Sequence, residues 1–399
     1  MASSPRQRLF TAPLAFTFAA CFASNLSFHV FTYLPGYLQG LGATEATIGV
    51  LAAVAHAIAL ASRPVLAPAM DRQGRRAVIR VGGVIHVIAA ALYLTVQDLG
   101  PWIYVVRGLH GLGIALLFSA YFTVAADLVP AERRTEGLSL FGVSGILPVG
   151  LAPWLGDRIL AVADYDALFA TSAGLAAVGA LFALGIPETK PGSAGAGRPS
   201  MLRTLRRREL VPLWLVGVIF ASGLTAYFTF LKTYVGALGL GSLGSFFLPY
   251  ALTAVGMRLV LGWVPDRVGP RRALFPSMAV FLIGMLVLAA ASSTTSLALA
   301  GVLCGIGHGY TFPILSALIV TRAPAEERGA AVTLFTALFD AGPLISAPVL
   351  GSLADGFGHG TMYAAMAVVG ALGVLAFALL DTQERRVAPA VLRPAPREG

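Results

Sequence analysis

The chain has 399 residues, of which 57% are hydrophobic and only 12% charged, with a formal net charge of +9. Soluble domains carry about 25% charged residues, so half of that polar cover is missing and a water-dispersed globular domain is excluded. Cys21 and Cys304 both lie in apolar runs and form neither a disulfide framework nor a metal-ligand spacing.

A spanning helix needs about 20 mostly apolar residues to cross about 30 Å of hydrocarbon. Twelve such stretches follow one another. Spans 1 to 6 are predicted at 13–35, 44–68, 77–97, 100–126, 137–160 and 166–186. Spans 7 to 12 are predicted at 211–235, 243–265, 272–291, 294–320, 329–353 and 361–380. The runs are continuous, without the period-two alternation of barrel strands. Arg6 and Arg8 imitate a signal peptide, but the run after them is longer than an apolar signal core of about 7–15 residues, so it is read as span 1.

With the first end inside, the even-numbered connections and both termini hold 23 of the 28 Lys and Arg residues, and the odd-numbered connections hold only Arg158. This positive-inside pattern puts both termini in the cytoplasm and the protein in the plasma (inner) membrane as a multi-pass chain. Topology accounts for the basic excess, and no basic module with interleaved aromatics accompanies it, so nucleic acid is not an expected partner. The lipid bilayer is.

The chain repeats itself. SRPVLAPAMDRQGRR (62–76) answers MRLVLGWVPDRVGPRR (257–272), and PAERRTEGLSLF (130–141) answers PAEERGAAVTLF (324–335) at an offset of 194. Gly111, Gly113 and Phe118 answer Gly305, Gly307 and Phe312 at the same offset. The expected architecture is an all-α membrane protein of 12 transmembrane helices in two pseudo-symmetric six-helix halves. Residues 1–188 form the first half, 189–210 a cytoplasmic linker, and 211–399 the second half with a short tail. The linker holds the Gly/Pro/Ser stretch PGSAGAGRPS and then a basic run suited to anionic headgroups.

Parallel halves imply substrate binding at the midplane between them. On these residues the chain resembles the major facilitator superfamily over essentially its whole length. The loop after span 2 carries that family's signature as Asp71, Arg72, Gly74, Arg75 and Arg76. The loop after span 8 echoes it as Asp266, Arg267, Gly269, Arg271 and Arg272. The leading Gly of the motif is Ala67 in the first copy and Gly262 in the second. RGLHGLG (107–113) is similar to the family's span-4 pattern.

The loop motif also has a physical reading. Asp71 ends span 2 on the side where span 11 begins, and Asp266 stands in the same relation to span 5. A carboxylate near a helix N-terminus gains about 0.3–1 kcal/mol, so each Asp is a candidate conformational latch between halves. Gly74 and Gly269 suit the tight turn, and the arginines anchor to phosphates or to Asp127. Positive-inside charge alone is the alternative.

Charge inside a membrane costs at least about 2.5–3.5 kcal/mol and marks functional candidates. The deep polar residues are Asn25, His29, His56, Arg63, Arg107, His110, Lys232, Arg258, His308 and Asp340. Asp340 is the sole carboxylate well inside a span and the first candidate for proton coupling, with a static ion pair to an arginine as the alternative. Arg107 matches the family position tied to proton coupling, against a structural role satisfied by backbone carbonyls. Arg63 and Arg258 stand about 12 Å above the Asp of their motifs at 1.5 Å per residue, as gate or cavity residues or as structural pairs. Asn25, His29, Tyr227, Tyr250 and His308 complete the candidate substrate cavity. Lys232 lies near a boundary and snorkels. Gly301, Gly305 and Gly309 read as close helix packing.

No metal spacing, cofactor motif or hydrolase motif occurs; neither a cofactor nor an enzyme is expected. The resemblance implies a secondary transporter closest to the drug and sugar efflux branch, here a monomer exporting a small anionic or amphipathic molecule against protons. Span 5 departs from that branch, since GVSGILPVGLAP offers only Gly145, Pro148 and Gly150 of its Gly/Pro pattern, and span 1 holds no acid. An importer of an organic anion, by symport or facilitation, is the competing expectation.

Overall fold

The computed structural model describes residues 11–130, 133–189 and 201–381, and within them the side chains of Ala67, Asp71, Arg134, Thr135, Asp266 and Ala325 are outside the description. All regular elements among the described residues are helices. The first group is α1 (Ala12–Val30), α2 (Leu34–Gly40), α3 (Glu45–Gln73), α4 (Arg75–Leu92), α5 (Pro101–Leu128), α6 (Arg134–Leu160) and α7 (Tyr165–Ala183). A short α8 (Met201–Leu205) leads to the second group: α9 (Val211–Ala237), α10 (Gly244–Val260), α11 (Val264–Val268), α12 (Pro270–Ala289), α13 (Thr294–Arg322) and α14 (Arg328–Leu380).

Local chemistry sets the helix starts. Thr11, Thr44 and Asp164 cap α1, α3 and α7 by accepting from a backbone N–H three residues on, and Ser293 closes a reciprocal capping box with Ser296 on α13. Gly74 (φ 96°, ψ 157°) and Gly269 (φ 93°, ψ 132°) separate α3 from α4 and α11 from α12. A side chain is strained at such a positive φ, which is why glycine ends both copies of Asp-Arg-x-Gly.

Ten helices among the described residues are long and apolar enough to cross a membrane. The division differs from the predicted spans in two places. Spans 11 and 12 run together as the 53-residue α14, interrupted where Gly358 takes φ 81° and ψ 160°. Span 8 shortens to the 17-residue α10, followed by the separate turn α11. Outward-facing side chains stay apolar: Val65, Val260 and Leu379 are 70%, 69% and 69% exposed. Hydrocarbon solvates such a surface and water does not.

The two most extensive seams between the groups are α3 against α14 and α6 against α10. Both rely on small residues. A Cβ on Gly49 would collide with the Ala347 carbonyl, one on Gly351 with the Glu45 carbonyl, and one on Gly150 with Ala251. Within the second group, Gly301 and Gly305 bring α13 equally close to α10 at Phe246 and Tyr250.

Candidate functional site

Halfway along the α3–α14 seam, charged side chains of the two groups meet. Arg63 Nε donates to Asp340 Oδ2 at 2.7 Å, and a terminal guanidinium nitrogen contacts the same oxygen. The other Arg63 donors are taken by Thr336, at 2.9 Å through its hydroxyl and 3.0 Å through its carbonyl. His56 Nδ1 lies 3.4 Å from Asp340 Oδ1. Arg63 and Asp340 side chains are each 12% exposed, His56 32%. His56 is one of the deep polar residues of the sequence that received no coupling or cavity role, although it sits seven positions from Arg63 and so on the same helix face.

Helix N-termini at the far face, away from the start of α1, are held across both seams. Asp355 of α14 accepts from the backbone N–H groups of Glu45 (2.8 Å) and Ala46 (2.9 Å), which open α3. Asp157 of α6 accepts from Leu243 N–H (3.2 Å), Gly244 N–H (2.8 Å) and the Ser242 hydroxyl (2.8 Å) at the start of α10. The two carboxylates stand 198 residues apart in the chain, as do the amides they bind. Each satisfies N–H groups that have no partner inside their own helix and meets the positive end of the helix dipole. Beside the first contact, Glu45 binds the Thr233 hydroxyl at 3.0 Å and faces His359 Nε2 at 3.3 Å. The far face of both seams is closed. These carboxylates were missed in the sequence because each sits singly at a span end.

The remaining predicted residues divide. Arg107 donates to the Leu51 carbonyl at 3.2 Å and the Tyr93 hydroxyl at 3.3 Å. It lines a cavity of about 60 Å³ beside Phe31 and Phe228, room for water rather than for a substrate. The His29 ring lies 5.7 Å from that of Phe228 across the groups, whereas Asn25 donates locally to the Cys21 carbonyl at 2.8 Å. Tyr227 and Tyr250 sit inside the second helix group. Both are fully buried, joined hydroxyl to hydroxyl at 3.0 Å, with the Tyr250 hydroxyl against His308 Nδ1. Their rings pack with Phe246 and Phe247, so the apolar body of the phenol is better placed inside the group. Arg258 reaches from α10 toward α6, where a Cβ on Gly142 would lie 3.4 Å from its Nη1. Lys232 Nζ sits 5.2 Å above the Tyr33 ring.

At the opposite, basic face the motif arginines bind within their own groups. Arg75 Nε pairs with Asp127 Oδ2 at 2.9 Å, while Glu188 accepts from the Arg75 and Arg76 N–H groups at 3.0 and 3.3 Å. Arg271 pairs with Asp381 at 3.1 Å, and Asp381 also holds Arg322 at 2.9 Å. Arg267 stacks on Trp263 at 4.3 Å. Arg72 and Arg272 lie on the same face; the expected latch acids Asp71 and Asp266 have side chains outside the described residues. Glu327, before α14, accepts from Arg207 twice at 2.6 Å and from the Thr204 hydroxyl at 3.0 Å. The Arg207 guanidinium holds that carboxyl down to about 2.

Comparison with known proteins bears on this arrangement. The sequence pattern of the Major Facilitator Superfamily matches residues 15–294 and 243–398. The staphylopine export protein of Staphylococcus aureus is 24% identical, over 90% of this chain and 91% of its own. The multidrug resistance protein MdtL of Klebsiella pneumoniae is 34% identical over 40% of each chain. Among solved structures, the nucleoside transporter NupG superposes with a TM-score of 0.76 at 14% identity, covering 92% of this chain and 98% of that one.

Proposed function

The chain belongs to the Major Facilitator Superfamily of membrane transporters, and from that premise we propose that it exports a small molecule in exchange for protons by alternating access. Residues 1–188 and 211–399 act as two six-helix halves, joined by the linker 189–210. Twelve spans result when α14 is divided at Gly358 and α10 is counted with α11. The basic face is cytoplasmic, so the closed far face is the outer gate. One chain supplies both sides of each seam and works as a monomer in the plasma (inner) membrane.

The Arg63–Asp340 contact carries the reading. It joins the halves at midplane depth, beside an imidazole, where a carboxylate can take up or release a proton. A proton on Asp340 removes the negative charge that holds Arg63, which weakens the seam between α3 and α14 and favours rocking of the halves. Closing on the outer side is assisted by Asp157 and Asp355; Asp71 and Asp266 serve the corresponding role at the inner face. Arg107, satisfied by a carbonyl and a hydroxyl, shapes the field of the cavity rather than carrying the proton.

Export is supported by relatives named as exporters or resistance proteins. A second reading, import of an organic anion, is favoured by the four deep cations, Arg63, Arg107, Lys232 and Arg258, against the single acid Asp340. The test is a thermal-stability screen of organic anions, sugars and lipophilic drugs, followed by flux of the stabilising solute in proteoliposomes under an imposed proton gradient. Movement opposite to protons supports export and movement with them supports the second reading. Movement of the solute that ignores the gradient defeats proton coupling.

A further inference from the structure

The two deep arginines are equivalent in the repeat but not in their partners. Arg63 contacts Thr336 and Asp340 on the opposite helix group. At the 194-residue offset of the repeat, those two positions become Gly142 and Ile146. Arg258 points at the same place, with Nη1 3.4 Å from a Cβ built on Gly142. Among the described residues no acid forms an ion pair with it there. Its Nε is buried without a hydrogen-bond partner, and its guanidinium carbon lies 6.0 Å from the centre of the Phe312 ring. The neighbouring His308 nitrogen is occupied by the Tyr250 hydroxyl.

A guanidinium stays charged in any protein environment, and burying it without a counter-charge is strongly unfavourable. Arg63 meets that demand with Asp340. Arg258 has no such acid among the described residues, and the seam leaves room for one: Gly142 has no side chain, and a Cβ on Gly145 would meet nothing within 4 Å.

We infer that Arg258 is the anchor for a carboxylate of the transported molecule, which takes the place that Asp340 fills for Arg63. The planar fork of the guanidinium donates two parallel hydrogen bonds to a carboxylate, and Phe312 offers an apolar face beside it. The ligand class is therefore a monocarboxylate with an apolar or aromatic body. The inference rests on the transporter reading for its meaning, but binding at Arg258 can be measured without any flux.

The experiment uses the full chain in detergent, with benzoate, octanoate and 2-naphthoate as probes and their amides as neutral controls. Carboxylates are expected to raise the melting temperature and amides not to. Arg258→Gln is expected to weaken carboxylate binding at least tenfold, and Arg258→Lys to retain part of it. Gly142→Asp places an acid beside Arg258. It is expected to raise the melting temperature of the ligand-free protein and abolish the carboxylate effect. Equal effects of acids and amides, no effect of any of the three acids, or unchanged binding in Gly142→Asp would each overturn the assignment. Retained binding at Arg258 with no flux in proteoliposomes counts against the transport reading and leaves the carboxylate site standing.

Discussion

Arg63 of α3 and Asp340 of α14 are 277 residues apart in the chain and share a 2.7 Å hydrogen bond across the seam between the two helix groups. Both side chains are 12% exposed, so each depends on the other for charge compensation. Removing one partner of a buried pair costs about 3–5 kcal/mol, because the survivor is left unpaired. Arg63→Leu and Asp340→Leu are each expected to lower stability in detergent on that scale. The double variant is expected to recover much of the loss. A double variant as unstable as the sum of the singles contradicts direct coupling.

The far-face carboxylates give a conformational prediction. Asp157 and Asp355 each bind two backbone N–H groups that open a helix of the opposite group. Such contacts are worth about 0.3–2 kcal/mol. Asp355→Ala and Asp157→Ala are expected to shift the population toward an open far face, and more so together. Labelling of a cysteine introduced at Ser245, with Cys21 and Cys304 replaced by serine, reads the shift. Unaltered labelling in the double variant rejects the latch.

Glycine contacts on the same seam predict a graded effect. A Cβ on Gly49 or Gly351 would meet a backbone carbonyl of the facing helix, whereas one on Gly356 meets nothing within 4 Å. Overpacking costs about 1–3 kcal/mol. Gly351→Ala and Gly49→Ala are expected to open the far face and lower the melting temperature, and Gly356→Ala to do neither.

The basic face carries a pH signature. Arg207 lowers the Glu327 carboxyl from 4.5 to about 2. A group whose folded value is depressed stabilises the fold above its unfolded value. That contribution is full above pH 4.5 and is lost as pH falls toward about 2. Melting curves across this window are expected to fall less steeply for Glu327→Gln than for the parent chain. Parallel curves show that the Arg207–Glu327 contact carries no net stabilisation.

Much of this was legible before any coordinates. Long apolar runs marked the helices because a membrane leaves few alternatives, and the Asp-Arg-x-Gly repeat put Gly74 and Gly269 where the backbone turns. Deep charge singled out Arg63 and Asp340, but sequence could not pair them, since partner choice across 277 residues depends on how the groups dock. His56 was detectable by its helical spacing from Arg63. Tyr227 and Tyr250 looked like cavity residues and are buried, because polar tips in an apolar helix can satisfy each other. The physics of a carboxylate at a helix N-terminus was expected at the Asp71 and Asp266 loops. At the far face it is Asp157 and Asp355 that display it, and nothing in a lone Asp at a span end announces such a role.

The central claim is that Asp340 carries the proton that is exchanged for substrate. Proteoliposomes loaded with a pH-sensitive dye, given the solute identified by the stability screen, report it directly. Asp340→Asn is expected to abolish solute-driven proton movement while exchange of labelled for unlabelled solute continues. Proton movement in Asp340→Asn equal to that of the parent chain contradicts the account.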